Sequence, residues 1–211
     1  MKKLLSIGMT VAILATACFT IGFYFYNSKQ KPDDTIVIAG QLPNYSKEEM
    51  ASTSPVIIKG VVSSIGEAKW NTPDGLEPKE IKFSDVIYHD VKIKVDKVLK
   101  GSPSEYVNVR VYEGEVPAGK TIRKVESEGE PQFNLNENVL IFLDNDDTAY
   151  SKSKEKDHLI TRGMFQGKFS LKNGKAENRK ETLTEQELTT TISSYKNNKW
   201  PDPIQPKSVE K

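Results

Sequence analysis

From Leu4 to Tyr26 the chain runs without a single charged side chain, and only Met1, Lys2 and Lys3 precede that run. A helix rises about 1.5 Å per residue, so a run of this length spans a hydrocarbon core of about 30 Å. Beyond Asn27 the composition is that of a solvated globular chain. The sequence therefore divides into a signal-anchor or transmembrane segment (1–27), a polar tether (28–54), a β-rich extracytoplasmic domain with a C-terminal helix (55–198), and a proline-rich tail (199–211).

Tyr24, Phe25 and Tyr26 stand where an aromatic belt meets the headgroups, and the three-residue leader places the bulk of the chain outside the cell membrane as a single-pass protein. In the alternative, Leu14-Ala15-Thr16-Ala17-Cys18 resembles a bacterial lipobox, which implies a lipoprotein anchored through Cys18. Ala15, Thr16 and Ala17 also supply small residues of the kind found at signal cleavage sites. Cys18 is the only cysteine, so the exported part has no internal disulfide, no cysteine nucleophile and no cysteine-built zinc site. By analogy, this suits a bacterial surface protein.

Of the 30 Lys and Arg residues, Lys2 and Lys3 precede the apolar run; the other 28 face 29 Asp and Glu. Such a balance supports no nucleic-acid partner, which would require a basic patch facing the phosphates.

The domain reads as β-rich. Ile87, His89, Val91, Ile93 and Val95 share one face; Tyr88, Asp90, Lys92, Lys94 and Asp96 share the other, the period of a half-buried strand. Val107, Val109 and Val111 then face inward, with Tyr106, Asn108, Arg110 and Tyr112 outward. Val139–Leu143 is a continuous apolar run, as expected of a strand covered on both faces. Asn173-Gly174 marks a tight hairpin. Within the tether, Ile36–Ile38 reads as an edge strand docking on the domain. Thr184-Glu185-Gln186-Glu187 has the capping-box pattern, followed by Leu188, Ile192 and Tyr195 on one helical stripe. The expected fold is mainly β: a small OB-like barrel with one C-terminal α-helix, preceded by the N-terminal transmembrane helix.

The order Val91–Gly101, Val107–Val111 and Asn136-Glu137-Asn138-Val139-Leu140-Ile141-Phe142-Leu143 resembles the strand, Lys-Gly turn, strand and Glu-x-apolar-Phe-Leu pattern of small exported bacterial β-barrel proteins of unknown function. More distantly it resembles the netrin type of OB barrel. The resemblance spans roughly residues 56–171 and implies a binding or inhibitory module rather than an enzyme.

Four aromatic residues are the candidate ligand-binding set: Trp70 in a loop, and Tyr88, Tyr106 and Tyr112 on the outward faces. Rings bury much area at little entropic cost, and OB-type barrels hold ligands on aromatic strand faces and adjoining loops; packing under the helix or the tether is the alternative role for the same rings. Asp144, Asp146, Thr148 and Glu155 fall at positions 1, 3, 5 and 12 of a calcium loop, although Ala149 stands where glycine makes the turn. Calcium is thus the one cofactor the pattern admits, and a solvated turn is the simpler reading of the same residues. His89 and His158 are the only histidines, and no Gly-x-Ser-x-Gly or phosphate-cradling loop is present. The sequence points to a membrane-anchored binding or accessory module for a surface protein or other ligand it does not identify. The competing class is a surface enzyme with a carboxylate-based, calcium-dependent site.

Overall fold

The strand alternation read along residues 87–95 is realised in a 14-residue strand that forms the spine of a closed barrel. The computed structural model describes residues 34–38, 42–151 and 157–200. In chain order the strands are β1 (Asp34–Ile38), β2 (Val56–Ile65), β3 (Lys69–Trp70), β4 (Ile87–Lys100), β5 (Tyr106–Val111), β6 (Gly114–Ala118), β7 (Thr121–Ser127), β8 (Asn138–Asp144), β9 (His158–Thr161), β10 (Lys168–Lys172), β11 (Lys175–Glu177) and β12 (Thr182–Thr184). Two α-helices accompany them, α1 (Lys47–Thr53) and α2 (Glu185–Tyr195). The molecule is mainly β, and among the described residues no helix is long and apolar enough to cross a membrane. The apolar run 4–26, Cys18, Glu155 and the tail beyond Trp200 lie outside the described residues.

Five strands close the barrel in the order β2-β4-β5-β9-β8 and back to β2. Every junction is antiparallel except β5–β9, which is parallel. Small closed barrels need strongly coiled strands, and β2 supplies the bend through three register shifts against β4. Gly60 sits at one of them, where an added Cβ would lie 2.2 Å from the Lys94 carbonyl oxygen. Only glycine lets the two backbones come that close.

Val139, Ile141 and Leu143 point into the barrel with Ile58, Val62, Val91, Ile93 and the three valines of β5. Leu140 and Phe142 point the other way, onto Phe169, Leu188, Ile192, Met50 and Ala51. The unbroken apolar run of β8 is thus explained: both faces are buried, each large side chain contributing roughly 1.5–3 kcal/mol. One edge of β8 is shared. Its first half pairs with β10, and only Leu143 and Asp144 pair with β9 to close the ring. Beyond β10 the sheet continues through the Asn173-Gly174 hairpin to β11 and β12, both turn residues having positive φ.

Helix α2 carries the expected capping box at Thr184 and Glu187 and buries Leu188 and Ile192, while Tyr195 stays exposed. Part of the expected tether is built differently. Ser46 caps α1 by accepting from the Glu49 N–H at 3.1 Å, and Met50 and Ala51 are fully buried beside α2. Composition concealed this helix, because only two of its residues reach the core. Ahead of it, β1 pairs in parallel with β7, forming a three-stranded sheet with β6.

Candidate binding surface

The outer face of β4 and β5 changes character along its length, and the change decides which predicted residues can meet a ligand. At one end β3, the β6–β7 hairpin and the β8–β9 loop lie over the strands. Trp70, Tyr88 and Tyr112 are there, and all three are buried. The three are packed rather than open to a ligand: alternation assigns a side chain to a face of the sheet, but not what distant loops lay over that face. Tyr88 and Tyr112 meet edge-to-face at 6.4 Å, and Tyr150 packs on Tyr112 at 5.4 Å. Arg110 lies 3.8 Å over the Tyr88 ring and forks onto Asp90 at 2.8 and 3.0 Å. Burial opposes the Arg110 charge, but Asp90 more than compensates and raises its pKa.

The acidic loop folds onto the same cluster. Asp146 accepts hydrogen bonds from the Tyr112 hydroxyl, from Thr148 Oγ1 at 2.7 Å and from the Thr148 N–H at 3.1 Å. His158 Nε2 lies 2.9 Å from Oδ2, the oxygen that also accepts from Tyr112, while Thr148 bonds Oδ1. Burial favours the neutral acid, yet the bonds from His158, Tyr112 and Thr148 prevail and hold its pKa down to about 2. An ionised Asp146 requires the proton on His158 Nε2; among the described residues the buried Nδ1 has no hydrogen-bond partner. Behind Tyr112, Glu130 is buried and accepts from the Tyr112 N–H. Burial first, and then the neighbouring Glu113, push its pKa up to about 8. The predicted aromatic and acidic sets thus meet in one closed cluster.

Asp144 pairs with Arg162, so the Asp144 and Asp146 carboxylates each have protein partners, and Thr148 is bonded to Asp146. Among the described residues no group of three or more His, Cys, Asp or Glu side chains is placed to hold a metal ion.

At the other end the face is open. Tyr106, Lys92 and Lys94 are exposed, and Asn108 is half-buried. Lys94 stands directly across from Tyr106 and Lys92 across from Asn108, with the Lys92 ammonium 4.8 Å over the Tyr106 ring. Of the four predicted aromatics, Tyr106 alone presents a ring to solvent, on a rigid barrel strand between two cations. A flat ring with flanking ammoniums can stack on a planar or aromatic group and pair with an adjacent anion.

One polar constellation escaped the sequence reading. Lys168 and Ser170 share a face of β10 and meet Glu137, the acid of the Glu-x-apolar motif. Lys168 Nζ lies 2.5 Å from Glu137 Oε1 and 2.9 Å from Ser170 Oγ, and Ser170 donates to the same carboxylate at 2.5 Å. These residues line a polar pocket of about 320 Å³ that also includes Phe165 and Arg179. The signal was Lys-x-Ser at strand period, but its pairing with Glu137 depends on β10 lying beside β8. A serine nucleophile would need a neutral lysine as base. Here burial is outweighed by Lys168 and Ser170, which hold the Glu137 carboxyl below its ordinary range. Lys168, Glu137 and Ser170 are thus engaged with one another.

No family model matches the chain, and no curated protein matches it.

Proposed function

We propose that this protein is a membrane-anchored, extracytoplasmic binding or accessory module built on an OB-type barrel, with the open end of the β4–β5 face as its recognition surface. The OB reading is supported by the ring order: numbered along the chain, the barrel strands run first, second, third, fifth, fourth, with the third and fifth parallel. Strands two and three of such barrels carry the binding face. The observation that carries the functional reading is the selective exposure of Tyr106. Trp70, Tyr88 and Tyr112 are consumed in packing, whereas Tyr106 stands free on the third strand with Lys92 and Lys94 beside it. The anchor is the run 4–26, with lipidation at Cys18 as the other route to the same surface.

An enzyme reading finds less support. The two carboxylic acids whose pKa values are driven furthest apart, Glu130 and Asp146, both have buried side chains. A calcium role for Asp144 and Asp146 would first have to displace Arg162, Tyr112 and His158.

Capture of surface proteins by the full-length chain in its membrane, compared with Tyr106→Ser, tests the reading. Exposed interface tyrosines that act as anchors cost 1.4 kcal/mol or more when truncated, about tenfold in affinity. The variant is expected to lose its partner by at least about tenfold while melting at the wild-type temperature. Equal capture by both proteins would overturn the assignment.

A further inference from the structure

The long connection from β3 to β4, residues 71–86, is fixed at both ends and carries exposed apolar side chains among charged ones in the middle. Asn71 is buried, donates to the carbonyls of Ser84 and Tyr150, and accepts from the Val86 N–H. Between these fixed points three large apolar side chains face solvent: Leu76 at 66%, Ile81 at 43% and Phe83 at 89% of full exposure. Phe83 is a more exposed aromatic than Tyr106. Three large apolar side chains left exposed on one connection are the kind of feature that marks a contact site.

The place of the loop in the fold identifies what it contacts. Glu77, next to Leu76, pairs with Arg123 of β7 at 3.0 Å. Arg123 stands directly across from Asp34, the first residue of β1. The loop therefore lies against the end of β1 from which the chain runs back toward the apolar segment. Only residues 27–33 separate Tyr26 from Asp34, a reach of at most about 28 Å at full extension. A domain held on so short a leash presents this end to the bilayer. Of the loop's four acids, Glu77 pairs with Arg123, Asp74 accepts from Thr72 and the Leu76 N–H, and Asp85 accepts from the Lys82 N–H, while Lys79 and Lys82 flank Glu80 beside the exposed apolar residues.

We infer that the 71–86 loop is a second, interfacial membrane contact, in which Leu76, Ile81 and Phe83 enter the headgroup region of the bilayer that holds the anchor, with Lys79 and Lys82 at the phosphate level. The inference rests on the anchor proposed above. Apolar side chains dipping a few ångströms into the interface, with lysines snorkelling beside them, are how peripheral segments lie on membranes. The contact also sets orientation. It turns the covered end of β4 and β5 toward the lipid and leaves Tyr106, at the far end of the same strands, pointing away.

The test uses the full-length chain in phosphatidylglycerol-containing nanodiscs. Phe83→Cys and, separately, Tyr106→Cys are made in a Cys18→Ser background, labelled with an environment-sensitive fluorophore, and titrated with headgroup-spin-labelled lipid. The expected result is several-fold stronger quenching at position 83 than at position 106. Equal, weak quenching at both positions overturns the inference if alkaline carbonate leaves the chain in the membrane. If carbonate strips the chain off, the anchor reading has failed instead, and the inference falls with it. A Phe83→Asp variant supplies an independent readout: the fold is expected to be unchanged, and a label at Leu76→Cys should lose its quenching. Retained quenching there would also contradict the proposal.

Discussion

Two buried acids, Asp146 and Glu130, sit on either side of Tyr112 and respond to pH in opposite senses. Asp146 has a folded pKa near 2, below its ordinary 3.8, so it stabilises the fold above about pH 4, and that contribution disappears as the pH falls toward 2. Glu130 has a folded pKa near 8, above its ordinary 4.5. Its contribution is complete below pH 4.5 and is lost as the pH rises toward 8, because the folded state must then hold a buried charge. Urea denaturation of Glu130→Gln is accordingly expected to show stability close to wild type at pH 4 and clearly higher at pH 9. Asp146→Asn weakens the acceptor shared by Tyr112, His158 and Thr148. It is expected to cost about 1–3 kcal/mol at pH 7 and to flatten the wild-type decline between pH 4 and pH 2. In the sequence Asp146 reads as a candidate calcium ligand and Glu130 as an ordinary acid, and neither pattern tells of a buried partner. What gives them these properties is the closure of a distant loop over Tyr112, which no local pattern encodes.

Elements were legible where one periodicity reported one environment. The alternation of β4, the two-sided run of β8, the Asn173-Gly174 turn and the Thr184 capping box each became the element that its pattern specified. Helix α1 was missed although Ser46-Lys47-Glu48-Glu49 carries a capping signal, because its polar composition matched that of a tether. The divided edge of β8 was also illegible: β9 and β10 compete for it, and only the register settles that Lys168 comes to rest beside Glu137. That pair is largely buried, and removing one member leaves the other uncompensated. Lys168→Met is expected to destabilise the domain by about 3 kcal/mol in denaturant titration, and adding Glu137→Met to it is expected to restore part of the loss. Additive losses would contradict the account of a coupled pair.

At the scale of the molecule, the barrel has two unlike ends on one strand pair. At the first, Trp70, Tyr88, Tyr112 and Tyr150 seal the face beneath the connection that bears Phe83. At the second, Tyr106 and its flanking lysines remain open. The sequence supplied the candidate rings but not their division into a sealed set and an exposed one. That division arises from contacts between residues distant in the chain, such as Tyr112 with Asp146, 34 positions apart. The two proposed contacts would give the molecule a polarity, with lipid at the Phe83 end and a partner at the Tyr106 end. Site-specific photo-crosslinking of the full-length protein in its own membrane tests this most directly, with the reactive residue placed at position 106 or at position 83. The account predicts one dominant protein adduct from position 106, abolished by Lys92→Glu, and lipid adducts from position 83. Lipid adducts from position 106, or the same adducts from both positions, would contradict it.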